Sequence, residues 1–227
     1  MKKRNGLGAT FALIALAGLC ACAGSLARTA AAPLTAGPRF CLELSPGPSY
    51  RTTTTWLIFS LPIYPQVAAW VETPDGRYLG TIFATNKGYK GSYQAAPKEG
   101  RPEALPVWTR LRQAGVDGVS SATSAGDTTA ASGLAAKLPP GDYVIKLEAN
   151  RSYDYNEAYP KARAGVCGQP SIIYRAVLRL GSGPARADFT PIGTGSLDGH
   201  DGDIHGGLEG ISTALELFSR MRVSYLE

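Results

Sequence analysis

Histidine is nearly absent from this chain: its 227 residues include two, His200 and His205, both in one glycine-rich loop. That scarcity leaves the familiar hydrolytic schemes short of a general base. No Gly-x-Ser-x-Gly elbow, His-Glu-x-x-His pair or phosphate loop is present either, so standard hydrolysis has no motif to rest on. Long apolar runs are also lacking. The only long uncharged apolar stretch, residues 7–19, falls short of the roughly 20 residues a bilayer crossing needs, which excludes a multi-span protein. Acidic residues are missing before Glu43, whereas Lys2, Lys3 and Arg4 open the chain. Without those three, the 23 basic residues fall to 20 against 18 acidic ones, and the near-balanced remainder makes no case for nucleic-acid binding. With 27 Gly and 16 Pro, about 19% of the chain, the composition stays below that of aperiodic disorder and predicts a packed domain.

What stands at the N-terminus reads as an address. A basic start, an apolar core over residues 7–19 and small residues over 21–25 form a secretory signal. Leu19-Cys20-Ala21-Cys22 resembles the bacterial lipoprotein signal, with Leu three before the modified Cys and a small residue directly before it. Cys22 is then the acylated N-terminus and the membrane is reached through that anchor. Ala23, rather than Asp, after Cys22 favours the outer membrane by the same resemblance. Ordinary cleavage after Ala27, giving a soluble periplasmic protein, is the alternative. The expected organisation is a signal over 1–21, a flexible Ala/Pro/Gly tether over 22–38 and one domain over 39–227.

Two cysteines remain after processing, Cys41 and Cys167. An even count in an exported chain predicts one disulfide. Closing a loop of about 126 residues, it would contribute about 4–5 kcal/mol on the chain-entropy model. Two buried free thiols are the alternative.

Runs over 40–44, 53–60, 66–72, 78–84, 143–149 and 172–180 read as strands, bounded by turn signals such as Pro74-Asp75-Gly76 and Pro139-Pro140-Gly141-Asp142. Tyr143, Ile145 and Leu147 alternate with Lys146 and Glu148, which predicts one buried and one wet face. Helical spacing is confined to 107–113 and 211–221, the latter aligning Leu215, Phe218 and Met221, with 222–226 as a closing strand. Strands without a helix after each one predict an all-β fold, a mainly antiparallel β-sandwich of immunoglobulin or fibronectin type with one or two short helices.

Three places could hold chemistry. The loop from Asp198 to His205 carries His200, Asp201, Asp203 and His205, but at neither an EF-hand nor a usual zinc spacing, so a structural turn is the expectation and no metal is assigned. Tyr153, Tyr155 and Tyr159, with Asp154 and Asn156, make either a binding rim or an aromatic cap. The third is Asp117-Gly118-Val119-Ser120-Ser121-Ala122-Thr123, followed by Ser124-Ala125-Gly126. It resembles the acceptor motif of extracytoplasmic flavinylated proteins, Asp-x-x-Ser/Thr-Gly-Ala-Thr, in which a flavin transferase moves FMN from FAD onto the last Thr. Asp117, Ser120, Ala122 and Thr123 match, and Ser121 stands where Gly is usual. A weakly nucleophilic hydroxyl needs a base and a metal-held phosphate, both supplied by the transferase, so the acceptor need only present small, accessible residues. The alternative is a polar turn and short strand. Trp108, fifteen residues upstream, is either a flavin-stacking ring or a core residue.

The chain also resembles the periplasmic domain-of-unknown-function family 2271. The resemblance rests on Pro65-Gln66-Val67-Ala68-Ala69-Trp70-Val71-Glu72, Arg101-Pro102-Glu103-Ala104-Leu105-Pro106-Val107-Trp108, the motif ending at Thr123, Leu138-Pro139-Pro140-Gly141-Asp142-Tyr143 and Gly168-Gln169-Pro170-Ser171. It implies a single sandwich domain over about residues 40–226 and, through members encoded with or fused to flavin transferases, a flavin acceptor. The expectation is an exported, lipid-anchored carrier of covalent FMN on Thr123, with Asp117, Ser120, Ser121 and Ala122 as recognition residues. Its partners would be an FAD-dependent flavin transferase and membrane or periplasmic redox proteins, and it would be a carrier rather than a stand-alone enzyme. The rivals are a flavin-free binding or envelope-structure module and a metal-dependent hydrolase built on His200, Asp201, Asp203 and His205.

Overall fold

The computed structural model describes residues 37–56, 59–91, 100–112, 119–121 and 125–227. Cys22, the signal and the tether up to residue 36 lie outside the described residues, as do Asp117, Ala122 and Thr123. In chain order the elements are β1 (Arg39–Pro46), β2 (Thr52–Trp56), β3 (Phe59–Ile63), β4 (Gln66–Glu72), β5 (Tyr78–Thr85), α1 (Asn86–Lys90), α2 (Pro106–Leu111), β6 (Val119–Ser121), β7 (Thr128–Ser132), β8 (Gly141–Asn150), β9 (Ile172–Leu180), β10 (Ala185–Asp188), β11 (Thr190–Thr194) and β12 (Phe218–Leu226). Single 3-10 turns cover Gly133–Lys137 and Thr213–Glu216.

The strands form a four-stranded sheet, β10-β12-β1-β7, and a six-stranded sheet, β11-β9-β8-β4-β5-β6, while β2 and β3 pair with each other. All pairings are antiparallel except β5 with β6. This is the expected all-β sandwich. Period-two alternation explains it: Phe40, Leu42 and Leu44 of β1 and Val223 and Tyr225 of β12 point to one face. There they meet Ile145, Leu147, Ile172, Tyr174, Ala176 and Leu178 from β8 and β9 in the main core. Burying each large apolar side chain contributes about 1.5–3 kcal/mol.

Four expectations are corrected. Residues 218–221 are not helical, because β12 begins at Phe218 and runs beside β1 with Leu44 opposite Met221 and Phe40 opposite Tyr225. Pairing a strand edge that would otherwise stay open overrides the local helical spacing. The single strand over 53–60 is a hairpin, since Trp56 stands opposite Phe59. The outer face of β8 is not wet, as Val144 and Glu148 are both buried. Finally, Cys41 and Cys167 are free thiols.

Strand directions give the sandwich two unlike ends. β1 starts and β12 finishes at one end, the terminal end, where Arg39 pairs with Leu226. At the other, the loop end, β4 and β9 begin and β5, β6, β8 and β11 finish. The two sheets share this polarity, for Arg151, just after β8, donates to the Ser49 carbonyl just after β1. Cys41 lies three residues into β1 from the terminal end, whereas Cys167 sits in the 151–171 loop at the loop end. That separation is why the two do not bridge.

Ile145 is fully buried in the main core. Ile145→Ala is expected to lower the unfolding free energy by about 2–5 kcal/mol in denaturant titration, with an unchanged m-value.

Candidate functional site

The long connections gather at the loop end, the usual place for binding residues held by a rigid sandwich. Their placement begins with a second core on the outer face of the six-stranded sheet, where Ala68, Trp70, Ala84 and Ile173 meet Leu105, Val107 and Trp108. α2 starts with Pro106, whose fixed φ suits a first helical position. Its next two N–H groups donate to Glu148 of β8, Trp108 at 2.8 Å and Val107 at 3.4 Å. The Ser171 hydroxyl donates to the same carboxyl at 2.6 Å. Burial, only partly offset by these donors, pushes Glu148 up to about 7. No Cβ fits at Gly195, where it would lie 2.4 Å from Ser171 Oγ and 3.0 Å from Glu148 Oε1.

Trp108 is a core residue. Its ring has no solvent exposure, and its indole N–H donates to Thr81 Oγ1 at 2.8 Å, which also contacts the Tyr78 hydroxyl at 2.7 Å. The Arg112 guanidinium lies 4.8 Å over the Trp108 ring and donates to the Tyr89 carbonyl at 2.5 Å. α2 is thereby tied to α1. α1 is in turn fixed to the start of β4, because Gln66 Oε1 accepts from the Thr85 hydroxyl at 2.9 Å and from Gly88 N–H at 3.2 Å.

Of the motif, β6 holds Ser120 and Ser121, paired in parallel with Ala84 and Thr85 at the edge of the sheet. The strand runs toward the loop end, where Ser121 closes it opposite Thr85, the residue before α1. α1 presents exposed Lys87 and Lys90, half-buried Tyr89 and no acidic residue in its first turn. Asn86 Oδ1 is buried with no hydrogen-bond partner among the described residues.

The other candidates take structural roles. Asp201 accepts from both imidazoles, His200 Nε2 at 2.7 Å and His205 Nε2 at 3.1 Å, while Asp198 contacts His200 Nδ1 at 2.6 Å. Bonding to His200 holds Asp198 down at about 2, and the same contacts raise His200. Arg110 clamps this loop onto α2 through the Gly199 and His200 carbonyls, at 3.1 and 2.6 Å. Among the described residues, no group of three or more His, Cys, Asp or Glu side chains is placed to hold a metal ion. Asp154 is buried against Arg151 and accepts from Thr213, and Asn156 donates to Gly210 and Ser212, so the tyrosine-rich loop is a cap tied to the following segment. Cys167 lies 3.0 Å from the Arg101 guanidinium, and burial pushes its thiol up to about 12, leaving it protonated and unreactive.

Two features escaped the sequence reading. Glu148 looked like a solvent-facing residue of an alternating strand, and only the cover supplied by α2 makes it a buried acceptor. The residues of α1 carried no motif and gained a place only through the β5–β6 pairing.

Residues 63–160 match the family model described as "Predicted periplasmic protein (DUF2271)". The match spans β4 through β8, α1, α2 and the motif, and stops short of Gly168-Gln169-Pro170-Ser171 and of the 40–226 extent that the resemblance implied. The family's description supports a periplasmic location, and no helix among the described residues is long and apolar enough to cross a membrane. No curated protein and no solved structure matches the chain.

Two outcomes test this geometry. Because the Glu148 carboxyl sits above its ordinary 4.5, its contribution to stability is full below that pH and is lost as pH rises to about 7. The loss amounts to about 1.4 kcal/mol for each unit of displacement. Denaturant titrations at pH 5 and pH 8 should therefore show a larger loss for the wild type than for Glu148→Gln, and equal losses would refute the buried acid. Half-buried Cys41 should react with a thiol reagent in the native protein, and Cys167 roughly 100-fold more slowly or less, as peptide mass spectrometry would read.

Proposed function

We propose that the chain is an exported, lipid-anchored carrier of covalently bound FMN on Thr123, passing electrons between extracytoplasmic partners. The observation that carries this reading is the motif Asp117-Gly118-Val119-Ser120-Ser121-Ala122-Thr123, of which Val119–Ser121 form an edge strand that ends at the loop end of the sandwich. The periplasmic description of the family model supports the compartment. The separation of the two ends supports the division of labour: β1 begins at the end opposite to the one where Ser121 closes β6.

In this reading the chain is the substrate of an FAD-dependent flavin transferase. The Thr123 hydroxyl oxygen attacks the FMN-side phosphorus of FAD, and a phosphoester forms. The pyrophosphate P–O bond breaks, AMP leaves, and the hydroxyl proton passes to a base on the transferase. Ser121, Ala122, Ser124 and Ala125 keep the acceptor segment narrow, and Asp117 and Ser120 are its polar recognition points. The bound flavin supplies the redox chemistry, while the protein retains it in a compartment from which a diffusible flavin would escape.

Intact-mass measurement with in-gel flavin fluorescence tests this on protein exported beside an active flavin transferase. The expected result is an increment of one FMN residue on the native chain and none on Thr123→Val. An unmodified native chain, with a control acceptor loaded in the same cells, would sink the proposal.

A further inference from the structure

At the loop end a hydroxyl, a carboxylate and a side-chain amide meet. Gln169, in the loop between β8 and β9, is 1% exposed. Its main chain is fixed on both sides, since its N–H donates to the Asp154 carbonyl at 2.8 Å and its carbonyl accepts from Asn150 Nδ2 at 3.2 Å. The side-chain amide is fixed as well. Oε1 accepts from the Ser212 N–H at 2.7 Å and from the Ser212 hydroxyl at 3.3 Å, while Nε2 donates to Thr213 Oγ1 at 2.7 Å. Because a backbone N–H can only donate, the Ser212 contact fixes which end of the amide is the oxygen. Thr213 in turn donates its hydroxyl proton to Asp154 Oδ1 at 2.5 Å. The same oxygen accepts from Arg151, and Asp154 Oδ2 is buried with no hydrogen-bond partner among the described residues, so the carboxylate keeps an open acceptor site.

This is more than a polar tie. Acyl transfer requires a hydroxyl whose proton faces a base, a third group that orients the base, and donors on the carbonyl oxygen where negative charge develops. Thr213, Asp154 and Arg151 supply the first two, and the N–H and hydroxyl of Ser212 supply the third. Thr213 Oγ1 lies 2.7 Å from the amide nitrogen, and one C–N bond of about 1.33 Å joins that nitrogen to Cδ, so Oγ1 is within about 4 Å of the carbonyl carbon. The last torsion of a Gln side chain is broad, and a modest rotation turns the carbonyl face to the hydroxyl.

We propose that Gln169 and Thr213 become joined by an intramolecular ester. Thr213 Oγ1 attacks Gln169 Cδ as its proton passes to Asp154, and the Ser212 donors hold the charge that gathers on Oε1. The Oγ1–Cδ bond forms, the Cδ–Nε2 bond breaks, and Asp154 returns the proton to the nitrogen, which leaves as ammonia. The balance needs no oxidant and no second substrate. Exposed Ser212 and half-buried Thr213 leave ammonia a way out, whereas the burial of Gln169 keeps water from the ester once it has formed. The bond ties the loop between β8 and β9 to the turn ahead of β12, across 44 residues of sequence, and so supplies a covalent brace that the free Cys41 and Cys167 do not.

The test is peptide mapping of the full exported chain. Trypsin releases Gln169 in residues 164–175 and Thr213 in residues 187–220. After denaturation and digestion near neutral pH, the expected result is one species lighter than the two peptides together by about 17 Da, the mass of the ammonia lost. Fragmentation should place the bond between Gln169 and Thr213, and alkaline hydroxylamine should cleave it. Thr213→Val should give two free peptides with Gln169 intact. Two free peptides from the wild type would overturn the ester, and so would a linked pair from Thr213→Val. The wild-type species decides the matter even where the variant folds poorly, and flavin loading does not enter, because Thr123 lies in neither peptide.

Discussion

Glu148 sits near the loop end of β8 with no exposure to solvent, and its carboxyl collects the N–H groups of Val107 and Trp108 and the hydroxyl of Ser171. α2 is six residues long, too short to be stable on its own account. Its position depends on this acceptor and on the apolar contacts of Trp108 with Trp70 and Ile173. The chain of consequence is short. The carboxyl fixes α2, α2 fixes Arg112, and Arg112 bonds to Tyr89 and so steadies α1 beside β6. An ionisable group at the base of this sequence makes the outer face sensitive to pH, because burial opposes its charge while three donors favour it.

The rest of the sandwich works as a partition. Its main core joins the two sheets through alternating apolar positions, and its two ends take different duties. Both ends of the described chain are spliced into the four-stranded sheet at one end, with Arg39 opposite Leu226. The long loops, the buried Arg151–Asp154 pair and the two-histidine clasp fill the other. Polar ties such as Gln169 to Ser212 and Thr213 hold those loops to one another rather than to water.

How far this was legible in the sequence depended on whether a residue's neighbours were local. β4 and β9 were readable to their last residues, because a continuous apolar run and a clear alternation leave little choice. The helix expected through Phe218 and Met221 failed because a spacing of three suits a helix locally, while the open edge of β1 demands a strand. β10 and β11, with sequences Ala-Arg-Ala-Asp and Thr-Pro-Ile-Gly-Thr, carry almost no apolar signal of their own. The parity argument for a disulfide used a count, and a count contains nothing about which end of a sandwich each cysteine occupies. At the candidate site, the motif's residue types were plain, whereas its neighbours came into reach only through three backbone pairs. Asp117, Ala122 and Thr123 themselves lie outside the described residues.

The parallel pairing of β5 with β6 has a mechanical consequence. β6 is three residues long, stands at the margin of its sheet and has β5 as its one partner there, whereas every other strand of that sheet spans at least five residues. Releasing it would cost a handful of hydrogen bonds, so the opening belongs to the low-energy end of the protein's local unfolding. The edge of the six-stranded sheet at β6 is thus held far more weakly than its centre, where β8 and β9 face each other over nine residue pairs.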